Sequence, residues 1–188
     1  MKSVRNRYGI ALVFAAAVAL ANGHVHIFSQ EKDASSGFED RVREYAKQRE
    51  AIEARLPTMP KAATAAQIEA HEKALLKAVV AARNGAAKGV IFTPEAEKLI
   101  RSIVSAQYKG RDRVQLRKEL AEAENASVPV KVGSVYPEAA ELLEMPPTLL
   151  LALPQLPKQV RYRFVGTSLL LVDRENHLIV DYMTDALP

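Results

Sequence analysis

The residues whose types could do chemistry are four histidines, His24, His26, His71 and His177, and the carboxylates near the C-terminus. A chain beginning at Asn22 would read Asn22-Gly23-His24. A free amine with histidine third can wrap Cu²⁺ or Ni²⁺ in a square plane. The ligands are the amine, two deprotonated amide nitrogens and the imidazole, in a geometry those metals prefer. A start at His24 would put His26 third instead. His24 and His26 are therefore the candidate metal ligands, with nickel or copper the candidate cofactor. The same stretch also reads as a plain polar tail.

A second group is Asp173, Glu175, His177 and Asp181. Carboxylates and an imidazole could hold a metal or exchange protons. Asp, Asn and His are also ordinary turn residues. The strand register argued below sends Asp173 and Asp181 to opposite faces, which separates the two acids.

Other chemistries find no pattern. His71-Glu72 lacks the second histidine of a zinc-binding helix, and there is no Gly-rich phosphate loop. Ser102, Ser105, Ser134 and Ser168 lack a G-x-S-x-G context. No catalytic set is named by the sequence, and the reading leans away from an enzyme.

The elements that must position these residues begin at the C-terminus. Val160 to Val165 alternates, with Val160, Tyr162 and Phe164 on one side. Gly166-Thr167 suits a two-residue type II′ turn, whose first position needs φ > 0. That register pairs Val165 with Ser168 and Phe164 with Leu169. A turn over Arg174–His177 leads to a third strand, Leu178–Met183. There Asp173 should face Leu178, and Leu170 should face Asp181. One face then collects Val160, Tyr162, Phe164, Leu169, Leu171, Leu178, Val180 and Tyr182, and is read as core. The other holds Arg161, Arg163, Leu170, Val172, Ile179, Asp181 and Met183. It is half apolar, which calls for cover by a helix or by another chain. Arg161 and Arg163 are expected to pair with Asp181 or to be solvated. A meander this small needs packing from elsewhere in the chain.

The helices upstream supply it. Phe38 to Leu56 has Phe38, Val42, Tyr45, Ile52 and Leu56 at spacings of four and three, with Arg49 interrupting the series. Pro57 and Pro60 end that helix. Thr64 and Gln67 have capping-box spacing, and a second helix runs to about Arg83. Its apolar face is Ile68, Leu75, Leu76, Val79, Val80 and Ala82, and Asn84-Gly85 stops it. Thr93 as N-cap, Pro94 at N1 and Glu95 start a third helix. Its stripe is Ala96, Leu99, Ile100, Ile103 and Val104, and Gly110 ends it. A shorter helix is expected over about Arg113–Ala123. Val128 to Val132 alternates around Pro129, so it is an edge strand or no strand. Prolines then punctuate a connector, in which Thr148–Leu153 could form one helical turn.

The fold class is thus α+β: three or four N-terminal helices packed on a small C-terminal antiparallel β-meander. The expected division is 1–21 signal peptide, 22–37 flexible terminus, 38–125 helical region, and 126–188 connector and hairpins. The last two form one domain.

Lys2, Arg5 and Arg7 precede the apolar run Gly9–Ala21, which ends in Ala19-Leu20-Ala21. That is the form of a secretory signal peptide, with an uncleaved anchor as its rival. Of 26 basic residues these three precede the cleavage site, leaving 23 against 22 acidic. The processed chain would be near neutral, so nucleic-acid binding loses its support. It has no cysteine, so export would bring no disulfides. No stable membrane span would remain after processing. The expected address is periplasmic or secreted.

The segments Gly89–Pro94, Val130–Pro137, Leu153-Pro154, YRFVG, LLLVD and LIVDY resemble an uncharacterised family of exported Gram-negative bacterial proteins. The terminal hairpin is also similar to those of periplasmic nickel/cobalt-homeostasis-type proteins. The first resemblance implies an envelope location and assigns no catalytic residue. The function expected is a non-enzymatic binding protein of the cell envelope, with an envelope protein partner or self-association. A nickel or copper accessory role and a hydrolase of unrecognised type are the alternatives.

Overall fold

The computed structural model describes residues 11–108, 114–115, 130–136 and 145–187, with side chains from Gln30 onward. The order is α1 (Ala11–Glu53), α2 (Ala65–Ala82), α3 (Pro94–Gln107), α4 (Pro147–Ala152), β1 (Val160–Val165), β2 (Ser168–Asp173) and β3 (Ile179–Met183). The helices precede a three-stranded antiparallel sheet ordered β1-β2-β3. The expected α+β class is the one observed.

Helix α1 has no proline between its ends, and Pro57 follows shortly after it. It carries residues 22–37 as helix, where the sequence suggested a flexible stretch. Ser35-Ser36-Gly37 does not break it, because local bonds replace what those residues lack. Ser35 Oγ reaches Glu39 at 3.5 Å, and Arg41 Nη1 donates to the Gly37 carbonyl at 2.8 Å. Phe38, Val42 and Tyr45 are buried. The Phe38 ring lies 5.4 Å from Phe92 and 6.4 Å from Tyr162, joining α1 to the α3 loop and to β1.

The capping box of α2 forms as expected, with Gln67 N–H donating to Thr64 Oγ1 and Thr64 N–H to Gln67 Oε1. Only Leu75 and Val79 of its apolar face are fully buried, while Ile68 and Val80 are exposed. The helix packs mainly on α1, so one neighbour covers a narrow stripe. Thr93 caps α3, whose buried residues are Ala96, Ile100 and Val104. That helix ends at Gln107, before Gly110, with Tyr108 N–H closing onto Val104 O. Of the expected 113–123 helix, Val114 and Gln115 are helical and the rest lies outside the described residues.

The first hairpin has the expected register, Val165 opposite Ser168 and Phe164 opposite Leu169, and Gly166 takes φ +52°. The second departs from expectation. Asp173 and Leu178 are joined as anticipated, Asp173 N–H donating to Leu178 O at 2.9 Å. Beyond Val172↔Ile179 the register slips, and Asp181 faces Leu171 rather than Leu170. Val180 is the extra residue of a β-bulge. A bulge puts one added residue on one strand and exchanges the faces of all that follow. Tyr182 therefore joins the cluster of Leu170, Val172 and Ile179, while Met183 joins the main core. The expected row Arg163–Leu170–Asp181 is instead Arg163–Leu170–Tyr182.

The main core lies between the helices and one sheet face. The second face is covered by the chain's own connector, through Tyr136 and Val130. Residues 130–136 run beside β3. Gly133 N–H donates to Ile179 O, Ile179 N–H to Ser134 O, and Tyr136 N–H to His177 O, at 2.7–2.9 Å. Val135 and Leu178 form a single bridge. The edge pairing thus falls on Gly133–Tyr136, past Val130–Val132, while Val128 and Pro129 of the expected stretch lie outside the described residues.

Candidate functional site

Arg49 interrupts the apolar stripe of α1, one helical turn after Tyr45. It stays on the buried face, only 4 % exposed. A guanidinium placed there must be paired, since an unpaired buried charge costs several kcal/mol (about 3–5). Its partners come from three places. Nε donates to Asp173 Oδ2 at 3.1 Å, Nη1 to Glu53 one turn on, and Nη2 to Glu175 in the second hairpin turn. Tyr45 Oη donates to the same Asp173 Oδ2 at 2.7 Å. Asp173 Oδ1 accepts from the amides of Glu175 and Asn176 at 3.1 and 3.4 Å, which shapes the turn. His177 ends that turn in the left-handed region, φ +56°. One fully buried carboxylate thus fixes the hairpin turn and ties it to α1.

The electrostatics follow from burial. The Tyr45 phenol is held far above its ordinary range, first by burial and then by the adjoining Asp173 carboxylate. Burial opposes the Arg49 charge, yet Asp173, Glu175 and Glu53 outweigh it and raise its pKa further. The Arg83 guanidinium sits 5.0 Å over the Tyr45 ring.

Asp181 is the second fully buried carboxylate. Its oxygens accept from the amides of Gly89, Ile91 and Phe92 at 2.9, 2.7 and 3.0 Å. It therefore organises the loop that leads into α3. This corrects the expected pairing with Arg161 and Arg163. Arg161 Nη2 lies 3.2 Å from His177 Nδ1, and Arg163 Nη1 reaches Tyr162 O at 3.5 Å. The bulge at Val180 is the reason, because it turns Asp181 toward the helical layer.

Asp173 and His177 are not brought together for catalysis. The Asp173 carboxylate faces α1, whereas the His177 ring meets Arg161, which shares a row with Val172 on the opposite sheet face. His24 and His26 precede the residues with described side chains. His71, read as a solvated position, has a side chain only 10 % exposed and lies 4.0 Å from Glu53. The ligand atoms of Glu53, His71 and Glu175 lie within 4.8 Å of one another. Sequence reasoning missed this group, whose members come from three elements. The one available signal was the charge at Arg49, inside an apolar series.

A groove of about 770 Å³ opens between α4, the segment after it and β1. Leu150 and Leu151 stand on its α4 side, 47 % and 88 % exposed. Lys158, Arg161, Arg163 and Arg174 are also among the described residues that line it, and no carboxylate is. Tyr162 forms part of its wall, with its hydroxyl donating to Pro154 O at 3.0 Å. The prolines around α4 explain the projection. Pro146 and Pro147 restrict the chain into the helix, and Pro154 and Pro157 prevent it from continuing.

Among the described residues no helix is long and apolar enough to cross a membrane. No protein-family model, curated protein or solved structure significantly matches the chain.

Proposed function

We propose that the chain is an exported, non-enzymatic binding protein that engages another component of the cell envelope. The observation that carries this reading is the groove beside α4, where exposed leucines meet a basic wall. A concave groove that combines apolar side chains with convergent polar groups is the form of a binding site. The buried acids are committed to structure. Asp173 is held by Tyr45 and Arg49, and Asp181 by four backbone amides, three of them in the loop before α3. The basic, then apolar, N-terminus with its A-x-A site supports export.

The test is in a Gram-negative host, with a photo-crosslinking residue at Leu151 and a control at Val80 on the exposed side of α2. Processing, recovery outside the cytoplasm and a specific product at Leu151 alone are expected. An unprocessed cytoplasmic chain, or equal products at both positions, would overturn the reading.

A divalent-metal accessory role is the second reading, favoured by the Glu53–His71–Glu175 group. An imidazole with two carboxylates suits zinc and related ions. Arg49 competes for both carboxylates, so a metal would have to displace it. Titration of Zn²⁺, Ni²⁺ and Cu²⁺ separates the sites. Loss of binding in His71→Ala assigns this group, and loss in the His24→Ala, His26→Ala variant assigns the N-terminus. Binding unchanged in both ends the metal reading.

A further inference from the structure

We infer that the groove and the exposed leucines of α4 dock the protein on an anionic phospholipid surface. This rests on the envelope-binding reading and names its partner. Three observations converge. Leu151 projects with 88 % of its surface exposed, beside Leu150 on a six-residue helix fixed by prolines. A recessed pocket would cover such a side chain, whereas a lipid headgroup layer can receive a projecting one. The leucines share their groove with Lys158, Arg161, Arg163 and Arg174. The nearby carboxylates Glu50, Glu53 and Glu175 line a separate depression, which shares Lys158 and Arg174 with the groove. Apolar insertion next to one sign of charge is the chemistry of an interfacial anchor.

The magnitudes favour a reversible contact. A cation near an anionic leaflet strengthens binding about fivefold, and its effect decays over a screening length of roughly 10 Å or less. Two inserted leucines add an apolar contribution of at least similar size. The sum supports salt-sensitive binding that depends on both parts. An acidic peptide paired along the edge strand β1 is the rival occupant. It would use the same cations but would not need Leu151 to protrude.

The experiment is co-sedimentation of the chain, as recovered from cells, with vesicles of phosphatidylglycerol and phosphatidylethanolamine. Phosphatidylcholine vesicles are the comparison. Binding to the anionic vesicles alone, weakened by salt, is expected. The Lys158→Glu, Arg174→Glu variant should lose about tenfold or more. Leu151→Asp should lose a similar factor, while Lys98→Glu on α3 should change little. All four altered side-chain sites are solvent-exposed, and circular dichroism checks that each variant folds. Equal binding to both vesicle types, or anionic binding that survives the groove variants, overturns the proposal. No vesicle binding together with a protein crosslink at Leu151 overturns the lipid partner and leaves envelope binding standing. Absence of both removes both.

Discussion

Arg49 on α1 and Asp173 at the end of β2 form a buried ion pair, Nε to Oδ2 at 3.1 Å, between residues 124 positions apart. Both side chains are almost fully removed from solvent, at 5 % and 0 % exposure. The pair fixes the height at which the hairpin meets the long helix. Removing one partner leaves the other charged and buried. Arg49→Met is expected to destabilise the fold by about 3–5 kcal/mol. Combining it with Asp173→Leu should cost less than the sum of the single changes, since the double variant leaves no fully buried charge, and Glu53 and Glu175 keep about a third of their side-chain surface in solvent. Urea unfolding of the four proteins measures this coupling. A loss below about 1 kcal/mol for Arg49→Met would show that the pair does not anchor the hairpin.

Asp181 holds a loop rather than a charged partner. Three backbone amides of the loop and that of Tyr182 converge on it, and charge-assisted bonds of this kind contribute roughly 1.5–3 kcal/mol each at most. Asp181→Ala should lose on the order of 3 kcal/mol. Amide exchange at Ile91 and Phe92 should accelerate more than at Leu171. Uniform acceleration across all three would mean that the loop has no separate dependence on Asp181.

Tyr45 and Tyr162 give the fold an alkaline limit. In both, burial is the main cause that pushes the phenol pKa above its ordinary value near 10. A raised acid pKa means that the folded state favours the protonated phenol. That contribution is complete below about pH 10 and is lost as pH rises beyond it, because the unfolded tyrosines ionise first. Stability should therefore fall above about pH 10. The phenolate absorbance of these two residues should appear only with unfolding. Tyr162→Phe should shift the alkaline transition upward, and an unshifted transition would exclude its part in the limit.

Two glycines should respond in opposite directions. Gly166 takes φ +52° in the first hairpin, and an L side chain there costs roughly 1–2 kcal/mol. Gly37 lies inside α1, where an added Cβ would meet only the end of the Arg41 side chain, at 3.2 Å. Gly37→Ala should then stabilise by about 0.5–1 kcal/mol, because helix propensity rises and Arg41 can shift. Thermal melts of the two variants give the signs directly. A stabilised Gly166→Ala would refute the turn assignment.

The sequence by itself determined the elements whose signals are local. Thr64 with Gln67, and Thr93 with Pro94, specify helix starts through bonds made within four residues. Gly166 specifies the first turn, and alternation from Val160 to Val165 specifies which side chains face the helices. The Phe38–Val42–Tyr45 stripe was legible for the same reason, since helical spacing is a property of the chain alone.

Only the tertiary structure decided the rest. The extra residue at Val180 breaks no sequence pattern, because Leu178 to Val180 is apolar throughout. The slip is set where Asp181 can meet the amides of Gly89, Ile91 and Phe92. Arg49 looked like an interruption of a buried stripe until Asp173, Glu53 and Glu175 were brought around it. A buried charge is tolerated only where partners converge, and those partners lie on α1 itself and in a hairpin turn more than a hundred residues away. The groove at α4 has the same origin. Its leucines and its cations come from separate segments, so their union is a consequence of packing that no spacing in the chain announces.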